Sequence, residues 1–416
     1  MFVPNWRKVA GMHLAVLNPL LAIEGGPPHR AKKMPPWPYF GEDEIAAVAE
    51  VMRSGRVNYC IGEQGKEFER EFAASCGCKH AVGVSNGTVA IELALRCLGI
   101  GVGDHVITSS RTFVASASAI SICGATPVFA DVDPETQNVT ADSISRALTP
   151  QTRAILVVHL AGYPCDMDSI LQFARERELF VVEDCAQAQG AKYKGRCVGS
   201  FGHAAAFSFC QDKIISTLGE GGMLTTDSFE VWERAAAFRD HGRKYPNAAL
   251  EQEQTGFRWV HDSLGSNWRM TEVQSAVGRK QLKKLGGWLE TRQAHASVLA
   301  QRLSRISALR VPQPPLHIKH AYYRFYLFVR PERLRSGWTR DYILQAVNAE
   351  GVPCFSGSCP EVYLESAFAD VRPATRLPSA VELGETSLAF LVHPTISEAD
   401  IADVACAVEK VMSFAS

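Results

Sequence analysis

Between residues 81 and 184, short runs of consecutive apolar residues alternate with longer stretches whose apolar positions recur every three or four residues. The short runs predict strands over 81–84, 105–108, 126–130, 154–159 and 179–184. The periodic stretches predict helices over 89–98, 113–123, 142–148 and 166–177. Ile155 to Val158, like Phe180 to Val182, are apolar without a break, as strands covered on both faces require. Strand and helix repeated in this way predict an α/β domain with a mainly parallel sheet. Ligands of such folds sit beyond the carboxyl ends of strands, so Thr88, Phe113, His159, Asp184 and Ser208 are expected to converge.

Either side of this region the pattern changes. Pro27, Pro28, Pro35, Pro36 and Pro38 make an extended approach, followed by a helix over 42–54 that stops at Gly55. Phe68 and Phe72 share a helical face. Beyond the sheet region, 228–241 reads as a helix, 244–256 as a surface loop, and 267–270 as the lead into a helix through Thr271, Ala276 and Leu282. The prolines 312, 314 and 315 mark a second boundary. After them come a strand over 322–329, a helix over 339–350 and a last helix opened by Ser397 and Asp400 as a capping box. The expected organisation is an N-terminal arm (1–38), a large domain (39–285) and a smaller α+β C-terminal domain (286–416).

Composition narrows the function classes. A net charge of −1 with 21% charged residues gives no electrostatic reason to expect nucleic acid or an anionic membrane as partner. Residues 9–23 follow Arg7 and Lys8 and imitate a signal peptide, but His13, Asn18 and Pro19 interrupt the run. No stretch reaches the roughly 18 apolar residues of a membrane span. The expectation is a cytoplasmic protein with an N-terminal arm, Met12 and Met34 being alternative starts. Of the 12 cysteines, Cys76 and Cys78 form C-x-C, no C-x-x-C occurs, and Cys97, Cys123, Cys185 and Cys406 lie in apolar contexts as small hydrophobes. No metal site or disulfide framework is expected. Gly99-Ile-Gly101-Val-Gly103 leaves a helix and enters a strand, the reverse of a dinucleotide-binding context, and reads as a loop.

The candidate chemistry centres on 204–222, AAAFSFCQDKIISTLGEGG, where an apolar strand gives way to a polar segment carrying Lys213. Gly219, Gly221 and Gly222 follow, allowing sharp turns or close approach. Desolvation by Phe207, Phe209, Ile214 and Ile215 is expected to lower the pKa of Lys213 and suit it to a Schiff base. The bland alternative is a solvated lysine. The turn Ser85-Asn86-Gly87-Thr88 opens an apolar helix whose free amides make an anion site, or else an ordinary cap through Asn86 or Thr88. In that helix Glu92 and Arg96 are expected to pair on the one exposed strip. Pyridoxal phosphate needs a lysine, an anion cradle, a carboxylate for its ring nitrogen and a flat surface for its ring. Lys213, then Gly87, Thr88 and Ser208, then Asp184, then Phe113 can supply these four. Glu183 points to the opposite face because strand side chains alternate.

The motifs SNGTVAIELAL (85–95), TFVASASAI (112–120), GATPVFADVDPET (124–136), VVHLAGYPCDMD (157–168), VVEDCAQAQGAKYKG (181–195), FSFCQDKIISTLGEGGMLTTD (207–227) and SNWRMTEVQSAVG (266–278) occur in this order. With them the chain resembles the DegT/DnrJ/EryC1/StrS family of pyridoxal-phosphate-dependent sugar aminotransferases. The resemblance implies the fold-type-I, aspartate-aminotransferase-like fold. It implies Lys213 as the Schiff-base lysine and general base, Asp184 on the ring nitrogen, Gln187 beside the ring hydroxyl and Phe113 under the ring. Gly87, Thr88 and Ser208 would hold the phosphate, and Asn267 would reach it from the neighbouring subunit of a homodimer with shared sites. The implied activity moves an amino group from an amino acid, L-glutamate or L-glutamine, to a keto-sugar, nucleotide-linked in the main reading. The alternatives are an aminocyclitol aminotransferase acting on a keto-inositol, a sugar dehydratase, against which Lys213 argues, and a non-catalytic regulatory member. His203, Cys210 and CFSGSCPEVY (354–363) depart from the family pattern and point to a different substrate pocket.

Overall fold

A computed structural model describes residues 20–243 and 259–416; the expected loop at 244–256 and residues 1–19 of the arm lie outside them. The chain first forms helices α1 (Glu42–Ser54) and α2 (Gln64–Cys76), then strand β1 (His80–Val84) and helix α3 (Gly87–Cys97). Strands and helices then alternate as β2 (His105–Ser109), α4 (Val114–Ile122), β3 (Thr126–Ala130), α5 (Ala141–Arg146), β4 (Thr152–Val158), α6 (Met167–Arg175) and β5 (Phe180–Asp184). The short pair β6 (Lys192–Tyr193) and β7 (Arg196–Cys197) precedes β8 (Ala204–Ser208), β9 (Gly222–Thr226) and α7 (Phe229–Arg239). The expected helices are right in place, 42–54 to the residue, and the ends of the others differ by one or two residues, because caps and turns blur the periodic signal there.

The seven-stranded sheet runs in the order β1-β9-β8-β5-β4-β2-β3. The pairs from β8 to β3 are parallel, and β9 runs antiparallel to both β8 and β1. The sheet is therefore mainly parallel, as its apolar strands require. β4 and β5 have Ile155 to Val157, Val181 and Val182 at 0% exposure, buried on both faces. All carboxyl ends of the parallel strands point one way, and β9 starts beside the first residues of α3 and runs back between β8 and β1.

After residue 259 a single helix, α8 (Glu272–Leu303), runs for 32 residues, opened by a capping box of Thr271 and Gln274. Gly286 and Gly287 lie inside it with open space around them, so they weaken the helix only by propensity. The position 285/286 falls within this helix. Its first half packs against α1 and α2, and Ala296, Leu299 and Leu303 join the C-terminal core. That core is built on β10 (Leu309–Arg310), β12 (Phe325–Val329), β13 (Cys354–Phe355) and β14 (Ser387–Phe390), with β11 (Ile318–Lys319) pairing instead with β6. Helices α9 (Arg340–Ala349), α10 (Pro378–Thr386) and α11 (Glu398–Ala415) complete it. Ser397 and Asp400 form the expected capping box, and Ile401, Val404, Val408 and Val411 are buried.

The described part of the arm is seated on this C-terminal unit. Leu21 is fully buried in its core, and Glu350 accepts the amides of Ala22 (2.9 Å) and His29 (2.8 Å). Arg30 reaches Asp400 at 2.5 Å and Asp403 at 2.6 Å. Cys97, Cys123 and Cys185 are buried as expected, whereas Cys406 is partly exposed against the guanidinium of Arg302. No helix among the described residues is long and apolar enough to cross a membrane.

Candidate active site

The loop between β1 and α3 brings the first amides of α3 against the end of β8. Asn86 Oδ1 accepts the Val89 amide at 3.0 Å, so Asn86 is the cap and the Thr88 hydroxyl is not needed for it. The first amides of a helix have no intrahelical acceptor and favour an anion. Ser208, the last residue of β8, lies against this turn: a Cβ on Gly87 would come 2.6 Å from the Ser208 Cβ. A Cβ on Gly222, where β9 begins opposite Ser208, would come 2.3 Å from the Asn86 carbonyl oxygen. Both positions must be glycine for the three segments to meet. Gln189 Nε2 donates to the Ser208 carbonyl at 2.6 Å and ties the end of β8 to β5's exit loop.

Glu183 and Asp184 end β5 and face opposite ways. Asp184 is 6% exposed; its Oδ2 accepts from Ser116 Oγ at 2.7 Å and its Oδ1 from the Ala186 amide at 3.0 Å. Thr112 in turn bonds Ser116 at 2.7 Å. Burial raises the Asp184 pKa, opposed by these bonds and by Lys213 and His159. No ion pair joins Asp184 to a cation among the described residues. Glu183, on the other side, accepts the amides of Gly199, Phe201 and Gly202.

His159 does not join the cavity, contrary to the expected convergence. It follows β4 on the Glu183 side, fully buried, with Nε2 3.1 Å from Glu183 Oε2 and Nδ1 accepting the Cys165 amide at 3.0 Å. Its proton therefore sits on Nε2 and points at Glu183. With Cys185 these side chains approach one another, but His159 and Glu183 have already spent their lone pairs on hydrogen bonds, and the cluster serves the fold.

Lys213 lies in the loop from β8 to β9, its side chain 15% exposed. The loop is fixed at the backbone: the Lys213 amide bonds the Cys210 carbonyl at 3.0 Å, and its carbonyl accepts Trp37 Nε1 from the arm at 2.8 Å. Nζ is 3.6 Å from Asp212 Oδ1 and 5.0 Å from the Tyr323 ring centroid. The expectation of a lowered pKa is corrected here. Burial does work against the charge, but Tyr323, Asp212, Cys210 and Asp184 outweigh it, and the pKa lies above the ordinary lysine value. Burial also works against the charge of Asp212, yet Lys213, the Tyr323 hydroxyl and Arg324 hold its pKa low.

One cavity of about 570 Å³ gathers Gly87, Thr88, Phe113, Asp184, Gln187, Ser208 and Lys213. Phe113, the residue before α4, is 64% exposed and presents its ring there. Gln187 Oε1 accepts the Ala161 amide at 2.7 Å, which fixes the side chain. Asn267 is exposed and pairs with Asp240 outside this cavity. The far wall is formed by Tyr323, Arg324, Tyr326, Phe355, Gly357, Ser358 and Cys359 from the C-terminal unit. The segment 354–363, expected at the substrate pocket, supplies Phe355, Gly357, Ser358 and Cys359 of this wall, and Cys210 also lines the cavity; sequence reasoning missed Tyr323, Arg324, Tyr326 and Ser116. Of the missed residues, Ser116 had a usable signal, about one helical turn after Phe113.

A model of the DegT/DnrJ/EryC1/StrS aminotransferase family matches residues 38–409. The chain belongs to this family. GDP-perosamine synthase of Caulobacter vibrioides is 38% identical over 356 residues, covering 85% of this chain and 91% of that protein. The solved aminotransferase of Psychrobacter cryohalolentis is 47% identical with a TM-score of 0.89, over 91% of this chain and 99% of its own. DesV of S. venezuelae, solved in complex with a ketimine intermediate, is 34% identical with a TM-score of 0.80, over 89% of this chain and 94% of its own. This family member is thus a pyridoxal-phosphate-dependent aminotransferase with the fold-type-I architecture. The residues present fit the cofactor. Asp184 is a buried carboxylate with no ion pair among the described residues, which a protonated ring nitrogen would supply, and Gly87, Thr88 and Ser208 line the same cavity at the start of α3, where a phosphate would find helix amides.

Proposed function

We propose that the protein is a sugar aminotransferase, taking an amino group from L-glutamate and delivering it to a keto-sugar carried on a nucleotide. The observation that supports this reading is the continuity of the cavity. It runs from the Lys213 and Asp184 side to the wall of Tyr323, Arg324, Phe355 and Ser358, leaving room for a sugar beyond the cofactor. In this reading Gly87, Thr88 and Ser208 hold the phosphate, Phe113 stacks on the ring, and Gln187 lies beside its hydroxyl. Bound pyridoxal phosphate supplies an electron sink for a carbanion at the amine-bearing carbon. Asp184 keeps a proton on the ring nitrogen through its charge, which Ser116 and the Ala186 amide favour. The Lys213 amine moves the proton at the amine-bearing carbon. Asp212 and Tyr323 hold that amine on the cavity side.

The working unit is a homodimer in which Asn267 reaches the partner's phosphate site. Residues 39–285 carry the cofactor and 286–416 the substrate wall, with α8 as the rigid connection. The protein works in the cytoplasm. The experiment separates the half-reactions: the yellow enzyme is mixed with amino acids and followed by absorbance, then the aminated cofactor form with keto-sugars. Turnover of nucleotide-linked keto-sugars is expected. Turnover of a keto-inositol alone would replace this reading with an aminocyclitol aminotransferase, and no amino-acid half-reaction would remove the aminotransferase reading.

A further inference from the structure

The N-terminal arm reaches the candidate active site through one side chain. Trp37 Nε1 donates to the Lys213 carbonyl at 2.8 Å, and no other donor reaches that carbonyl among the described residues. The loop from β8 to β9 does not supply one. Its own bonds run from the Lys213 amide to the Cys210 carbonyl (3.0 Å), from the Gln211 amide to the Gly219 carbonyl (3.0 Å) and from the Thr217 amide to the Phe209 carbonyl (3.1 Å). The peptide after Lys213 is thus held from outside its own loop, by a residue 176 positions earlier in the chain.

Trp37 is itself fixed by α8 and the C-terminal unit. Thr395 Oγ1 donates to the Pro36 carbonyl at 2.8 Å and lies 2.9 Å from His393 Nδ1, and Gln281 Nε2 donates to the Tyr39 carbonyl at 3.1 Å. The indole stacks on His393 (5.7 Å, 25°), meets Trp288 edge-on (5.0 Å, 79°) and takes the Arg292 guanidinium over its face at 5.1 Å. Arg292 is 1% exposed and gives Nη1 to the carbonyls of Tyr322 (3.3 Å) and Tyr323 (3.4 Å). The Tyr323 ring in turn lies 5.0 Å from Lys213 Nζ. Arg292 therefore ties together the two aromatic residues that meet Lys213 at its opposite ends, Trp37 at the carbonyl and Tyr323 at the amine.

A packing role alone would use the indole ring and not its N–H. Trp37 is half-buried and could turn that group to water, yet it spends it on the lysine of the cavity. Lys213 carries its amine on a long, flexible stem, whose direction from the backbone is set by the peptide planes on either side. Freeing one of those planes moves the amine off its line to the reacting atom. A misplacement of about 1 Å caused away from the chemistry can cost on the order of 100-fold. We propose that Trp37 is a positioning residue for Lys213, through which the arm and the C-terminal unit set the direction of the amine. The inference rests on the reading of Lys213 as the Schiff-base lysine, and it makes the arm a part of the active site.

Trp37→Phe keeps a ring and removes the donor. The full-length apoenzyme is mixed with pyridoxal phosphate in a stopped-flow instrument, and the absorbance of the lysine-linked form is followed as it appears. Pyridoxamine phosphate, which has no aldehyde to link, reports the phosphate and ring contacts alone. The variant is expected to form the link about tenfold more slowly, with pyridoxamine phosphate affinity within about twofold of wild type. In the holoenzyme the L-glutamate half-reaction should lose a similar factor in kcat, with KM changed less than about threefold. Thr395→Val, which loosens Pro36 and His393 and keeps Trp37, should slow linkage by a smaller factor, and it carries the test if Trp37→Phe is unfolded by thermal melting. Linkage at the wild-type rate in the folded variant would overturn the proposal. So would an equal loss of pyridoxal phosphate and pyridoxamine phosphate binding, which marks a merely structural role. Failure of the Lys213 reading has a different signature: Lys213→Ala would keep the lysine-linked absorbance, whatever Trp37→Phe does.

Discussion

Ser116→Ala tests the account of Asp184 without touching any group proposed to contact the cofactor. Ser116 Oγ donates to Asp184 Oδ2 at 2.7 Å, and Thr112 completes the relay at 2.7 Å. A hydrogen bond to a charged group is worth about 1.5–3 kcal/mol, and a buried hydroxyl left without a partner costs about 1 kcal/mol. Thr112 is 1% exposed, so its loss counts at every pH. The Asp184 bond counts mainly when Asp184 is ionised. Urea unfolding of the apoenzyme should therefore show the variant about 3 kcal/mol less stable at pH 8, narrowing to about 1 kcal/mol in acid, where Asp184 is protonated in both proteins. Removing a bond to the ionised form raises the Asp184 pKa by roughly one to two units, at about 1.4 kcal/mol per unit. In the holoenzyme the same loss weakens protonation of the ring nitrogen, and the L-glutamate half-reaction should slow by about tenfold to a hundredfold. A stability gap that is equal at both pH values would refute the reasoning, because it would mean that Ser116 does not sense the charge of Asp184.

Two further outcomes follow from the same site. Folding raises the Asp184 pKa, so the apoenzyme draws stability from the protonated form below the ordinary carboxylate range and loses it as pH rises through the folded value. Apo Asp184→Asn should lack that loss and melt higher than wild type at pH 8, yet its donor half-reaction should fall by orders of magnitude; a variant with wild-type rates would point to another carboxylate. The shared-site proposal is tested by co-expressing Lys213→Ala with Asn267→Glu, which sets a like charge against the partner's phosphate at a cost of several kcal/mol. Activity should return at about a quarter of wild-type sites under random pairing, and purified heterodimers without activity would place Asn267 on its own subunit's site.

The sheet region was legible because its strands bury both faces. Ile155 to Val158 and Phe180 to Val182 could only be interior strands, and Ser397 with Asp400 announced α11 by local hydrogen bonding. β9 was missed, since Gly222–Thr226 is short and mixed, and only its antiparallel pairing with β1 and β8 makes it a strand. The full length of α8 was hidden by Gly286 and Gly287, which a long packed helix tolerates. That Lys213, Asp184, Gly87 and Ser208 line one cavity could be read from strand ends. His159 was misplaced by the same rule, because a strand end does not say which face a side chain takes. The pairing of Glu92 with Arg96 is present at 2.8 Å, but Glu92 is 7% exposed rather than on an open strip. The pKa of Lys213 depended on Tyr323, 110 residues away in sequence. No local pattern reports such a contact, nor the docking of Leu21 and Trp37 across the C-terminal unit.

The central claim is that Lys213 moves the proton at the reacting carbon, and a single-turnover measurement on Lys213→Ala tests it most directly. The purified variant, loaded with pyridoxal phosphate, is mixed with L-glutamate, and the aminated cofactor is followed by absorbance and by mass spectrometry of 2-oxoglutarate. The cradle of Gly87, Thr88 and Ser208 should still retain the cofactor, without the absorbance of its lysine-linked form. Proton transfer by a positioned side chain contributes about 10²–10⁴-fold, so the half-reaction should slow by at least about 10²-fold. A rate within a few-fold of wild type would contradict the account.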